Sequence, residues 1–168
     1  PTKELGLNER GELCIKGPQV MLSYWNKPEE TSDTLRDGWL HTGDVAKMDD
    51  EGFIYIVDRM KDMIITNGYN VYPRHVEEAI YEHENIEECI VAGVPDKNRG
   101  EIVKAWIKLK EGKSMTEADL KNFLEPRLSK IEQPRKLESR DEPLPKTMIG
   151  KLSRKDILEE ERKKKSGS

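Results

Sequence analysis

Four groups of residues combine type and placing in a way that chemistry could use: Thr42-Gly43-Asp44, Asp58-Arg59, Asn67-Gly68 and Lys151. Each sits at a turn between apolar stretches, where side chains project into solvent or onto a ligand. A carboxylate only accepts, so Asp44 behind a glycine can take two hydrogen bonds from a vicinal diol; an ordinary turn aspartate is the commoner role. Arg59 can bind phosphate or ribose, or close a strand-end ion pair with Asp58. Lys151, on a loop with Pro143, Pro145 and Gly150, can be a point charge aimed at phosphate or a solvated lysine. No nucleophile, base and orienter triad is legible. Gly150-Lys151 is followed by Leu152, where a phosphate loop needs Ser or Thr. His41, His75 and His83 show no metal-ligand spacing, so no structural metal is expected.

The elements that must carry these residues follow from periodicity. Glu12 to Lys16 alternates as a strand, broken by Gly17-Pro18, and Pro28-Glu29-Glu30 opens a short helix with acids in its first turn. The segments 39–48 and 53–58 flank Asp49-Asp50-Glu51-Gly52 as a hairpin. Met63 to Thr66 is a strand ending at Asn67-Gly68, and Pro73 starts a helix with Val76, Ala79 and Ile80 on one face. The runs 88–94 and 102–109 are apolar strands expected to pair across the turn 95–100. Thr116 to Ser129 reads as an amphipathic helix, capped by Thr116 with Asp119, striped by Leu120, Phe123, Leu124 and Leu128, and kinked late by Pro126. A strand over 134–138 and a last helix from about Ser153 complete an α+β order.

Composition narrows the function classes. The 168 residues hold 29 Lys and Arg against 33 Asp and Glu, a net charge of −4, with 37% charged and 35% apolar residues. The apolar run Cys89 to Val94 is far shorter than the roughly 20 residues of a membrane span. A net acidic chain without a basic face argues against nucleic acid as main partner. The basic run 162–165 directly follows Glu159-Glu160-Glu161 and reads as a solvated, fraying helix end. Cys14 and Cys89 each sit in apolar alternation, as reduced, buried thiols of a cytosolic protein do. The start at Pro1-Thr2-Lys3 lacks a secretory leader and suits a piece of something longer.

Read together, the motifs carry more. Gly11-Glu12-Leu13-Cys14-Ile15-Lys16-Gly17-Pro18, Tyr24-Trp25 and Pro28-Glu29-Glu30-Thr31 precede Trp39-Leu40-His41-Thr42-Gly43-Asp44. Then come Asp58-Arg59-Met60-Lys61-Asp62-Met63-Ile64-Ile65, Gly68-Tyr69-Asn70-Val71-Tyr72-Pro73, Val94-Pro95-Asp96 with Gly100-Glu101, and Leu144-Pro145-Lys146-Thr147 with Gly150-Lys151. In this order they resemble the carboxyl-terminal third of the acyl-CoA synthetases, members of the acyl-adenylate-forming (AMP-binding) superfamily. The resemblance covers nearly the whole chain.

It implies an α+β fold: a small β subdomain ending the large domain, residues 1–58, then a mobile domain, residues 59–168, with a β-hairpin and a three-stranded sheet flanked by helices. It also implies ATP-dependent thioester formation in two halves. Asp44 would hold the ribose hydroxyls, Arg59 the nucleotide near ribose, and Lys61 would be the hinge between half-reactions. Lys151 would be the catalytic residue of adenylation, and Gly68 would leave room for the pantetheine arm of CoA. ATP and CoA would be bound, with Mg2+ accompanying ATP in the parent enzyme and not held by this piece. The partners implied are a fatty acid, ATP, CoA and the missing amino-terminal domain, in the cytoplasm. The phosphate loop, adenine-binding segments and acyl pocket of the family precede the residues present, so the chain alone is expected to be inactive.

Two departures bear on this. Ile65 replaces the lysine of luciferase-like and coumarate-ligase-like members and moves the resemblance towards fatty-acyl ligases, while Pro126 interrupts a helix that usually runs on. The competing readings are an aryl-CoA ligase or amino-acid-adenylating domain of the same superfamily, or a non-catalytic accessory or CoA-binding module.

Overall fold

A computed structural model of the chain describes residues 3–166 and divides into two compact units, one ending at Lys61 and one beginning at Asp62. The expected boundary after residue 58 and this division differ by three residues, because Arg59 still belongs to a strand of the first unit.

The first unit is built on one sheet. Strand β1 (Gly11–Ile15) is followed by the short helix α1 (Pro28–Thr34), which has Pro at its start and Glu29 and Glu30 in its first turn. Then come β2 (Leu35–Arg36), β3 (Trp39–Met48) and β4 (Ile54–Arg59). The long β3 pairs antiparallel with all three other strands. At the β3–β4 turn, Asp49 Oδ1 accepts from the backbone N–H of Glu51 and Phe53, which closes the hairpin. Little is buried here: Val45, Ala46 and Asp58 are the only buried residues described, whereas Phe53, Ile54, Tyr55 and Ile56 are all exposed.

The second unit has a thicker core. The hairpin β5 (Ile64–Thr66) and β6 (Tyr69–Val71) precedes α2 (Pro73–Tyr81), β7 (Ile86–Asp96) and β8 (Gly100–Leu109). Helix α3 (Glu117–Leu124), strand β9 (Lys136–Arg140) and helix α4 (Arg154–Ser166) follow. Strand β8 pairs antiparallel with β7 and parallel with β9, so α3 lies on the crossover that a parallel pair requires. The three-stranded sheet is continuous with the hairpin, since Thr66 of β5 pairs with Gly100 of β8.

Both faces of this sheet are covered, which is why β7 and β8 read as continuous apolar runs. Cys89, Val91, Val103, Ala105 and Ile107 face one core with Val76 and Ile80 of α2 and Leu120 and Leu124 of α3. Their neighbours Ile90, Ala92, Val94, Ile102 and Trp106 face a second core with Leu144 and with Ile157 of α4. The split follows the two-residue period of a strand.

Two expectations need correction. Helix α3 ends at Leu124 instead of continuing to Ser129 with a kink, because Pro126 has no N–H to offer the carbonyl four residues back; the chain goes on in turns that still bury Leu128. Cys14 is half-buried, and only Cys89 is fully buried; both thiols are free. At the end of α4 Arg162, Lys163 and Lys164 are exposed, while Glu161 just before them is buried and accepts from Lys104 Nζ at 2.7 Å.

Candidate functional site

In the first unit Asp44 and Arg59 lie within β3 and β4, not at the turns expected of them, and the pairing of the two strands sets them opposite each other. The Arg59 Nε lies 3.2 Å from Asp44 Oδ1, and both side chains stay partly open to solvent. Arg59 therefore does not close the ion pair with Asp58 that its neighbourhood suggested; it is the Arg59 backbone N–H that donates to Asp58 Oδ1, at 2.7 Å. An acceptor-only group beside a donor-only group suits a ligand that carries both hydroxyls and anionic oxygens.

Asp44 is aimed by what precedes it. Its N–H donates to Thr42 Oγ1, whose hydroxyl donates to the Leu13 carbonyl at 2.8 Å. Glu12 accepts from the Gly43 N–H with one oxygen and from His41 Nδ1 at 2.7 Å with the other. Glu12, Cys14 and His41, far apart in sequence, thus form a cluster whose donor atoms lie within 4.8 Å of one another. The contact between His41 and Glu12 has hydrogen-bond length, well under the roughly 3.3 Å that separates N and O ligands on tetrahedral zinc. It is a bracing chain beneath Asp44. Burial, with the Glu12 charge beside it, pushes the Cys14 thiol up, away from the thiolate that nucleophilic chemistry uses.

In the second unit Gly68 forms the tip of the β5–β6 hairpin. Asn67 and Gly68 have φ of 51° and 79°, the two left-handed residues of a type I′ turn, and a methyl group placed on Gly68 would meet nothing within 4 Å. Lys151 flanks a second hairpin. Thr147 donates its N–H to the Lys151 carbonyl, Gly150 donates to the Thr147 carbonyl, and Lys146 bridges to Leu152. The three-residue loop Met148-Ile149-Gly150 ends in Gly150 at φ 78°, where the left-handed turn is cheap only for glycine. Lys151 is exposed, and its ammonium has no ion-pair partner among the described residues. Lys61 is exposed in a single 3-10 turn, Met60–Asp62, where one unit ends.

The fold thus brings Asp44 and Arg59 together on one unit and displays Gly68 and Lys151 at turns of the other. Residues 75–151 match the AMP-binding enzyme C-terminal domain. The chain belongs to the acyl-adenylate-forming, AMP-binding superfamily. It is 58% identical over 153 residues to a long-chain-fatty-acid–CoA ligase of Bacillus subtilis, covering 91% of this chain and 27% of that one. A feruloyl-CoA synthase of an Amycolatopsis species is 42% identical, covering 89% of this chain and 30% of the relative. Among solved structures, the o-succinylbenzoate CoA synthetase of Bacillus subtilis in complex with its acyl-adenylate intermediate superposes with a TM-score of 0.83 at 36% identity, over 91% of this chain and 31% of that one. The chain therefore spans under a third of the length of these superfamily members.

Several residues that shape the superfamily domain here escaped sequence reading: Glu77, Glu88, Lys104 and Arg154. All are charged groups drawn into the second unit, where Arg154 donates to Glu77 and to the Val91 carbonyl, and Glu88 accepts from the Leu144 N–H. One signal was available. Lys104 interrupts the apolar run 102–107, and Glu88 directly abuts the apolar run 89–94. No helix of the described residues is long and apolar enough to cross a membrane.

Proposed function

We propose that this chain is the carboxyl-terminal part of an ATP-dependent acid–thiol ligase. A carboxylate and ATP give acyl-AMP and pyrophosphate; the CoA thiol then attacks the acyl carbon, AMP leaves, and the thioester forms. The observation that carries this is the display of Lys151: a backbone held by hairpin hydrogen bonds and an ammonium with no ion-pair partner among the described residues, suited to meeting charge that develops on carboxylate and phosphate oxygens. Asp44 would accept from the ribose hydroxyls and Arg59 would donate to the nucleotide beside them. Lys61 would be the point about which the following residues turn between the two half-reactions, bringing Lys151 for the first and Gly68, with its open approach for the pantetheine arm, for the second. Mg2+ would enter with ATP, on residues outside this chain.

The relatives span fatty-acyl, feruloyl and o-succinylbenzoyl enzymes, which supports the broad reading of a carboxylate-activating ligase better than one confined to fatty acids. Within it, the 58% identity to a long-chain enzyme and the Lys61-Asp62-Met63-Ile64-Ile65 pattern favour a long-chain fatty acid. The test is carboxylate-dependent ATP–pyrophosphate exchange by the full-length enzyme that carries this segment, by its Lys151→Ala variant and by this chain alone. Exchange by the full-length enzyme only, lost in the variant while supplied acyl-AMP is still converted to thioester, is expected. Exchange by the chain alone, or indifference to Lys151, overturns the reading. A panel of fatty and aromatic acids settles the acyl class.

A further inference from the structure

The loop that carries Lys151 is exposed at its tip, where Met148 and Ile149 face solvent, yet both of its stems are pinned. On the entering side Leu144 is buried in the core. Its N–H donates 2.8 Å to Glu88 Oε2, and the other oxygen of Glu88 holds Lys146 Nζ at 2.5 Å. On the leaving side the Ser153 N–H donates to the Pro145 carbonyl, tying the two stems together. Arg154, next in the chain, donates to the Val91 carbonyl at 3.0 Å, to Glu77 Oε2 at 2.6 Å and to Asp62 Oδ2 at 3.2 Å. Glu77 in turn accepts from the Val91 N–H. Both stems are thus referred to β7, one through Glu88 and one through Arg154.

We infer that Glu88 and Arg154 are positioning residues for Lys151, fixing where its ammonium stands without touching substrate. The inference rests on the adenylation role proposed for Lys151. Ordinary burial would be satisfied by apolar residues at both places. Instead a carboxylate is taken into the sheet to hold one backbone N–H and one lysine, and a guanidinium spreads its donors over a helix, a strand and the residue after Lys61. Burial opposes ionisation of Glu88, but the Lys146 and Leu144 hydrogen bonds outweigh it and hold the carboxyl below its usual range, so the clamp is charged at neutral pH. A displacement of about 1 Å at a reacting group can cost about 100-fold in rate, which is the leverage such a clamp has over the lysine.

The experiment uses the full-length enzyme with Glu88→Gln, Arg154→Gln and, as conservative rescue, Arg154→Lys. Pyrophosphate exchange, thioester formation from supplied acyl-AMP, and amide hydrogen exchange over 144–153 are measured on each. Glu88→Gln and Arg154→Gln are expected to lower exchange activity roughly 10- to 100-fold, to leave the thioester half within about twofold, and to speed amide exchange at Thr147 to Lys151. Arg154→Lys should recover part of the first half-reaction. Unchanged pyrophosphate exchange, or equal loss of both halves with a lowered melting temperature, overturns the inference. A wild-type enzyme without pyrophosphate exchange overturns the proposed function instead, and the amide arm then decides whether these residues hold the loop.

Discussion

Asp44 and Arg59 meet across an antiparallel pair with 3.2 Å between Oδ1 and Nε, one end of the pair braced by Thr42 and Glu12 and the other by Asp58. The Arg59 side chain is 55% exposed, so the ion pair itself adds little to stability, at most about 1 kcal/mol. Arg59→Ala should leave the melting temperature of the chain nearly unchanged. In the full-length enzyme the same change should raise the KM for ATP about tenfold, as loss of one charged hydrogen bond does. A large drop in thermal stability would show instead that the pair is structural.

Gly68 separates two effects of one substitution. The type I′ turn places it at φ 79°, so Gly68→Ala should cost about 1 kcal/mol in denaturant unfolding through left-handed strain alone. Gly68→Leu should cost a similar amount, because nothing lies within 4 Å of the added carbon. Only the larger side chain should block the thioester half-reaction while sparing pyrophosphate exchange. Equal kinetic effects of Ala and Leu would refute the idea that Gly68 leaves room for a ligand.

Acid should unfold the second unit partly through Glu138. Burial would raise this carboxyl, but Lys104, Lys164 and Arg140 hold it down at about 2 from an ordinary 4.5. A depressed folded value means the unfolded chain binds the proton first as pH falls. The stabilisation is therefore complete above 4.5 and is lost progressively down to about 2. Urea midpoints measured across that window should fall less steeply in Glu138→Gln than in the wild type.

Ile157 is fully buried against Trp106 and Leu144 in the second core, where it fastens α4 to the sheet. Ile157→Ala should cost about 2–5 kcal/mol in urea unfolding. Amide exchange should quicken first in α4 and in the loop before it, and a uniform change over the unit would contradict this division of the core.

Much of this fold was legible because its signals are local. The two-residue period sorts Cys89, Val91, Val103 and Ala105 from Ile90, Ala92, Ile102 and Trp106 without any knowledge of partners. Pro28 and Pro73 mark helix starts, and Thr116 with Asp119 forms the reciprocal cap that the spacing announces. Of the candidate site, Asp44, Arg59, Gly68 and Lys151 stood out individually, but their partners did not. Glu12 reaches His41 only through strand register, and Glu88, Lys104 and Arg154 find partners at separations of 56, 57 and 77 residues. In a chain with 37% charged residues, a carboxylate destined for burial looks like its solvated neighbours until the fold brings a cation to it.

The bond from Arg154 to Asp62 joins residues 92 apart. The hydrogen bonds that hold the stems of the Lys151 loop run to Asp62, to Glu77 and to β7, and the turn at 110–115 is not among these partners. Loop closure grows costlier only slowly with length, so residues inserted at that turn should be absorbed as harmless surface variation. The exchange activity of such insertions would then stay level while the turn at 110–115 diversifies, which leaves that edge of the domain free to change without retuning the lysine.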